Sequence, residues 1–208
     1  MLTADHPTVP PSKIGIVLVH LGTPEQPNPK HIRRFLRVFL QDRRVIEVPK
    51  VIWWCILNGI ILPLRPRKIQ HAYQAIWDNE NNQSPLKTHA DAQLTTLSSL
   101  LGHDHFILRV AYRYSKPCIA SVINDMQQQG ARRILVVPQY PQYSATTTAS
   151  VRDEVFRALM KLRWQPNIRF IDDYADHPAY IKAIQDAINT HLSQLDWKPD
   201  HIITSYHG

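Results

Sequence analysis

The sequence predicts an α/β protein: a doubly wound parallel sheet with helices on both faces. Two observations carry the prediction. Short apolar runs, each ended by a turn signal, read as strands buried on both sides. Longer stretches with helical apolar spacing alternate with them, which is the pattern of a parallel sheet wrapped by helices.

Residues 1–13 are Pro-rich, lack the apolar core of a secretory signal and read as a flexible leader. Ile14 to Val19 is the first strand, ended by His20-Leu21-Gly22-Thr23-Pro24. Pro29 to Leu40 carries Ile32, Phe35, Leu36 and Phe39 at helical spacing. A second helix is expected from about Arg67 to Trp77, then a polar loop over Asn79–Ser84. Leu86, Ala90, Leu94, Leu97 and Leu101 stripe a third helix, stopped by Gly102. Phe106–Ala111 is the next strand. Ser115 is expected to cap a helix carrying Ile119, Val122, Ile123 and Met126, with Gly130 past its end. Arg133–Pro138 is a third strand. Ser150-x-x-Asp153 resembles a capping box before Val155, Leu159 and Leu162. Ile168–Ile171 is a fourth strand, and Ile181, Ile184, Ile188, Leu192 and Leu195 stripe the following helix. His201–Ser205 is expected to be a fifth strand.

The composition fits a globular protein, with 44% hydrophobic and 20% charged residues. Cys55 and Cys118 are the only cysteines, so neither a disulfide framework nor a zinc module is indicated, and a cytoplasmic setting fits. The formal charge is +7, much of it between Lys30 and Lys68. Inside that basic region lies Val51 to Leu62, apolar, with two tryptophans and too short to span a bilayer. Two readings stand: a segment lying at a membrane surface, or a half-buried helix with a solvated basic rim. Nucleic-acid binding would rest on charge alone and is not predicted.

Ligands of such sheets sit beyond the carboxyl ends of the strands. The segments there are rich in tyrosine and carry a few cationic groups, which suits a large flat anionic ligand. No GxGxxG or GxxxxGK[ST] follows a strand, which argues against dinucleotide and P-loop sites. Three features could carry chemistry. His207, after the last apolar run, is either structural or a proton acceptor or metal ligand. Gln139–Ser150, with five hydroxyls between Ser144 and Ser150, is either a capped polar turn or an anion site at a helix start. Arg113-Tyr114 and Arg65 are either surface residues or a carboxylate clamp with a stacking ring. No pair of histidines is spaced for a structural metal.

Five motifs in order resemble the ferrochelatase family over residues 14–208. They are Ile16 to Pro24 with its LGTP turn; Tyr73 to Trp77 followed by Ser84-Pro85-Leu86; Tyr112-Arg113-Tyr114 with Pro117; the loop Pro138-Gln139-Tyr140-Pro141-Gln142-Tyr143-Ser144; and Ile202 to Gly208. The Arg43-Arg44-Val45 and Trp53-Trp54 segments look most like proteobacterial members. The resemblance implies insertion of Fe²⁺, as substrate, into protoporphyrin IX in the last step of haem biosynthesis, a lyase reaction. It implies that His207 accepts a pyrrole proton or handles the metal. Arg65, Tyr73, Arg113 and Tyr114 would contact the porphyrin or its propionates. Leu21 and the Tyr140–Ser144 loop, with Tyr143, would line the cleft. The 51–64 region would touch the inner membrane peripherally. Other implied readings are a chelatase for cobalt or a coproporphyrin, or a non-catalytic porphyrin- or membrane-binding protein.

The sequence departs from the family pattern at several places. His20 stands where Asn is usual, Asn81-Asn82-Gln83 replace glycines, and Ala149 stands where Gly is frequent. Ala145 takes the place of a cluster cysteine, so no iron–sulfur cluster and no organic cofactor are expected. In the family a second α/β domain follows the histidine. The expected organisation is therefore an N-terminal α/β domain over 14–198 and the first strand of a truncated second domain over 199–208. The 208 residues alone are expected to be inactive.

Overall fold

The first strand, β1 (Lys13–His20), lies at the centre of a four-stranded parallel sheet with β2 (Phe106–Tyr112), β3 (Ala131–Pro138) and β4 (Asn167–Phe170), in the order β2-β1-β3-β4. The computed structural model describes residues 12–205. β1 pairs on both sides: Ile16 stands opposite Leu108 of β2 and Leu135 of β3. Both of its faces are covered, which is why its sequence is a continuous apolar run. Val17 and Val19, with Ala111, Ile134 and Val136, pack against α5 (Ile119–Gln128) and α6 (Ser150–Leu159). Ile16 and Leu18, with Leu108 and Val110, pack against α4 (Pro85–Leu101) through Ala90, Leu94 and Leu97. Gly15 is tightly packed: a Cβ there would meet Ile134 Cγ1 and Met126 Sδ at 3.0 Å, so those side chains would have to shift to admit one.

A third apolar cluster gathers α1 (Pro29–Leu40) and the helices after it, with Tyr114 among its buried members. α1 starts where Asn28 Oδ1 accepts the His31 N–H at 3.1 Å. The predicted helix at Arg67 begins much earlier. α2 (Lys50–Ile56), a π-helical turn over Leu57–Ile61 and α3 (Leu62–Ala75) form one unbroken helical segment. Pro63 and Pro66 make the sequence look broken. The π turn restarts the α-helix just before Pro63, which then sits in a first turn where a missing N–H costs little.

Two predicted caps are also corrected. α5 starts at Cys118 with no side-chain cap, and Ser115 instead accepts the Thr23 N–H at 3.2 Å. α6 is preceded by a π turn over Ala145–Ala149, so Ser150 is a buried helical residue, and Asp153 binds Arg44 rather than closing a capping box.

The chain divides into two compact units, one through Asp172 and one from Asp173. In the second, α7 (Pro178–Ser193) is capped by His177, whose Nδ1 accepts the Ala179 N–H at 3.2 Å. None of its residues is buried, and the predicted stripe of Ile181, Ile184 and Ile188 is exposed. The expected fifth strand is not formed: residues 201–205 are exposed and irregular. A strand needs a neighbour to take its backbone N–H and C=O groups, and the sheet among the described residues has four strands, none of them here. The leader up to residue 11 and Tyr206 to Gly208 lie outside the described residues.

Candidate functional site

Strand order 2-1-3-4 reverses between β1 and β3, so the crevice of this sheet opens at their carboxyl ends. Backbone bonds fix the exits. Val19 C=O accepts from Gln139 N–H at 2.8 Å, His20 C=O from Arg113 N–H at 2.9 Å, and Leu21 C=O from Tyr114 N–H at 3.0 Å. Gly22 turns the chain with φ +102°, and a Cβ there would lie 2.5 Å from Ser115 Oγ, so only glycine fits. His20 keeps a buried Nε2 without a hydrogen-bond partner, beside the equally unpartnered Tyr112 hydroxyl. Burial lowers the His20 pKa to about 4, partly opposed by Asp91, so the ring is neutral at pH 7.

Beside this crevice lies a buried polar node that the sequence reading did not single out. Asp42 leaves the C-terminal end of α1, and its Oδ2 accepts from Arg113 Nη2 at 2.7 Å, from the Tyr114 hydroxyl at 2.7 Å and from Ser150 Oγ. Its Oδ1 accepts the Arg44 N–H at 2.8 Å. Arg113 Nε also donates to Ser150 Oγ at 2.8 Å and to Ser150 C=O at 3.1 Å. Burial alone would raise the Asp42 pKa, but the bonds from Ser150, Tyr114 and the Arg44 N–H, with the Arg113 charge, hold it below the ordinary carboxylate range. Tyr114 is pushed far up, first by its burial.

The predicted aromatic residues gather around this node. Leu21 and Tyr73 pack on the same cluster as buried Tyr114. The Tyr114 ring meets Phe39 edge to face at 5.0 Å and lies under the Arg113 guanidinium at 4.5 Å. Half-buried Tyr140 packs on the core below, and its phenol is raised first by burial and then by the nearby Tyr114. Arg65 is exposed on α3 beside Tyr73. Tyr143 and Ser144 stand apart. Tyr143 is exposed under Arg152 at 5.8 Å, and Ser144 Oγ bonds to the hydroxyls of Thr146 and Thr147 at 3.0 and 2.7 Å. The last member of that hydroxyl run, Ser150, faces the buried node, where Arg113 Nε donates to it.

A cavity of about 320 Å³ opens beside the node, lined by Thr23, Phe35, Val38, Arg113, Tyr114 and Lys116. Of the predicted residues it holds only Arg113 and Tyr114. His207 lies outside the described residues, and among the described residues no three acidic, His or Cys side chains converge as metal ligands. On the helical segment after α1, Leu57 and Leu62 point into the core while Val51, Ile52, Trp54, Ile60 and Leu64 are exposed. Trp53 is anchored by its Nε1–H on Leu40 C=O at 2.6 Å. No helix among the described residues is long and apolar enough to cross a membrane.

Comparison with known proteins bears on this arrangement. The family model for ferrochelatase matches residues 13–208. A ferrochelatase of Rhizobium meliloti is 46% identical over 205 residues, covering 98% of this chain and 60% of the relative. One of Agrobacterium fabrum is 45% identical over 208 residues, covering 100% and 60%. One of Brucella canis is 47% identical over 197 residues, covering 94% and 56%. The chain thus spans about 60% of the length of the curated relatives it matches. With the LGTP turn at the β1 exit, Arg113-Tyr114 on the wall and a match over nearly all residues, the chain belongs to the ferrochelatase family.

Proposed function

We propose that this chain supplies the porphyrin-binding N-terminal part of an enzyme that inserts Fe²⁺ into protoporphyrin IX. The observation that supports the reading is the apolar and aromatic cluster that half-buried Leu21 and Tyr73 form with buried Tyr114, in a chain of this family. A macrocycle held against a rigid wall can be bent so that its nitrogen lone pairs face the metal, the distortion being driven by binding energy from the rest of the ring. Each Fe²⁺ inserted releases two pyrrole protons. His207 is the proposed acceptor or metal-handling group, Arg65 the partner of a propionate, and the Tyr140–Ser144 loop a further cleft wall. The exposed Trp54, Ile60 and Leu64 support peripheral contact with the inner membrane from the cytoplasmic side, where an apolar porphyrin is delivered.

Titration of the 208-residue chain with protoporphyrin IX, followed by the Soret band, tests the reading. The expected result is saturable binding with little Fe²⁺ insertion under anaerobic conditions. Fusion to the remaining C-terminal part of the Rhizobium meliloti ferrochelatase is expected to give insertion, and His207→Ala to abolish it with porphyrin still bound. Absence of porphyrin binding refutes the proposal. Robust insertion by the 208 residues alone refutes the expected need for a C-terminal part. A preference for cobalt or a coproporphyrin moves the reading to another tetrapyrrole chelatase.

A further inference from the structure

We infer that Asp42 is a positioning residue of the cleft wall, and that it holds Arg113 as part of that wall instead of leaving it for the substrate's carboxylates. The inference rests on the porphyrin reading above and changes its division of labour. The Arg113 and Asp42 side chains are 8% and 3% exposed. The guanidinium is already committed along three directions: Nη2 to Asp42 at 2.7 Å, Nε to Ser150, and Nη1 toward Glu154 at 3.8 Å. Asp42 already neutralises this buried guanidinium, and Glu154, itself paired with Arg157 at 2.9 Å, stands on its other side, so an arriving carboxylate finds little unpaired charge there. Arg65 is the contrasting case. It is exposed, stands beside Tyr73 and makes no ion pair among the described residues. A propionate needs a cation with open donors, which Arg65 offers. Asp42 meanwhile joins Tyr114 to Ser150, tying the β2–α5 loop and the start of α6 to the end of α1.

Protoporphyrin IX and its dimethyl ester, which lacks the carboxylate charges, separate the two roles. With Asp42→Asn, both porphyrins are expected to bind more weakly by the same factor, on the order of tenfold, so the acid-to-ester ratio stays as in the wild type. With Arg65→Ala, only the acid is expected to weaken. If Arg113 serves propionates, Asp42→Asn releases its charge and the acid tightens relative to the ester; that outcome, or unchanged binding of both, overturns the inference. Ser150→Ala, which removes one donor and keeps the carboxylate, is expected to give a smaller equal loss and serves if Asp42→Asn does not fold. Hydrogen exchange reads the positioning role without porphyrin: the Arg44, Arg113 and Tyr114 amides are expected to exchange faster in both variants. Unchanged exchange overturns the role of Asp42. Failure of the wild type to bind either porphyrin instead refutes the proposed function.

Discussion

Tyr114→Phe removes one hydroxyl from the buried node. The ring and its edge contact with Phe39 at 5.0 Å are kept, and only the hydroxyl, which donates to Asp42 at 2.7 Å and lies 3.0 Å from Ser150 Oγ, is lost. A hydrogen bond to a charged acceptor contributes about 1.5–3 kcal/mol. Asp42 Oδ2 keeps Arg113 and Ser150, so the low end applies, and the expected loss is about 1–2 kcal/mol. For a chain of this size that corresponds to a fall in Tm of roughly 2–8 °C. The sign with pH follows from the lowered Asp42 pKa. Its contribution is fully present above the unfolded value of about 3.9 and is lost as pH falls through the lower folded value. The variant has lost one of the bonds that depress this pKa, so the gap between the two proteins is expected to be largest above about pH 4 and to narrow below it. Urea unfolding of both proteins between pH 3 and 7 measures the gap directly. A Tyr114→Phe protein as stable as the wild type at pH 7, or a gap that widens on acidification, would refute the reasoning.

Other perturbations reach other parts of the fold. Gly22→Ala forces φ +102° on a residue with a Cβ and drives that Cβ onto Ser115 Oγ; a loss of about 1–3 kcal/mol in urea unfolding is expected, and a neutral result would mean the turn can relax. His20, with a pKa lowered to about 4, favours the folded state above the unfolded value of about 6.5, and this contribution is lost as pH falls toward 4. NMR should show its ring unprotonated from pH 8 to 5; titration near 6.5 would show that burial is not felt. Trp54→Asp with Ile60→Asp should abolish co-sedimentation with anionic phosphatidylglycerol vesicles while leaving the melting curve near that of the wild type, because both side chains are exposed. Retained sedimentation would remove that face from membrane contact.

Four of the five expected strands were legible as short apolar runs between helices, and the structure keeps β1 to β4 within a few residues of the expectation, whereas His201–Ser205 carries the same apolar signal and forms no strand. Helices with one apolar stripe, such as α1 and α4, were equally clear. Reading failed where local chemistry has two outcomes. Pro63 and Pro66 look like a break, yet a π turn carries the helix past them. Ser150 has the spacing of a cap, yet its hydroxyl is drawn into a buried node. The aromatic residues of the site were visible from strand exits and family motifs. Asp42 was not, because it stands in an ordinary polar turn and its partners are 71, 72 and 108 positions away. A carboxylate whose donors are that distant leaves no mark in its own neighbourhood.

Those separations also set a timetable. During synthesis at about 5–20 residues per second, residue 42 is made roughly 5–20 s before Ser150 completes its set of donors. For about the first two-thirds of that interval the α1 cluster also lacks Tyr114, its buried member 72 positions after Asp42, so its apolar surface stays open on the nascent polypeptide. The cleft wall is in this sense a late product of folding, closed by long loops whose entropy slows their pairing. The stretch between Asp42 and Tyr114 is a window in which the nascent chain carries that apolar surface uncovered.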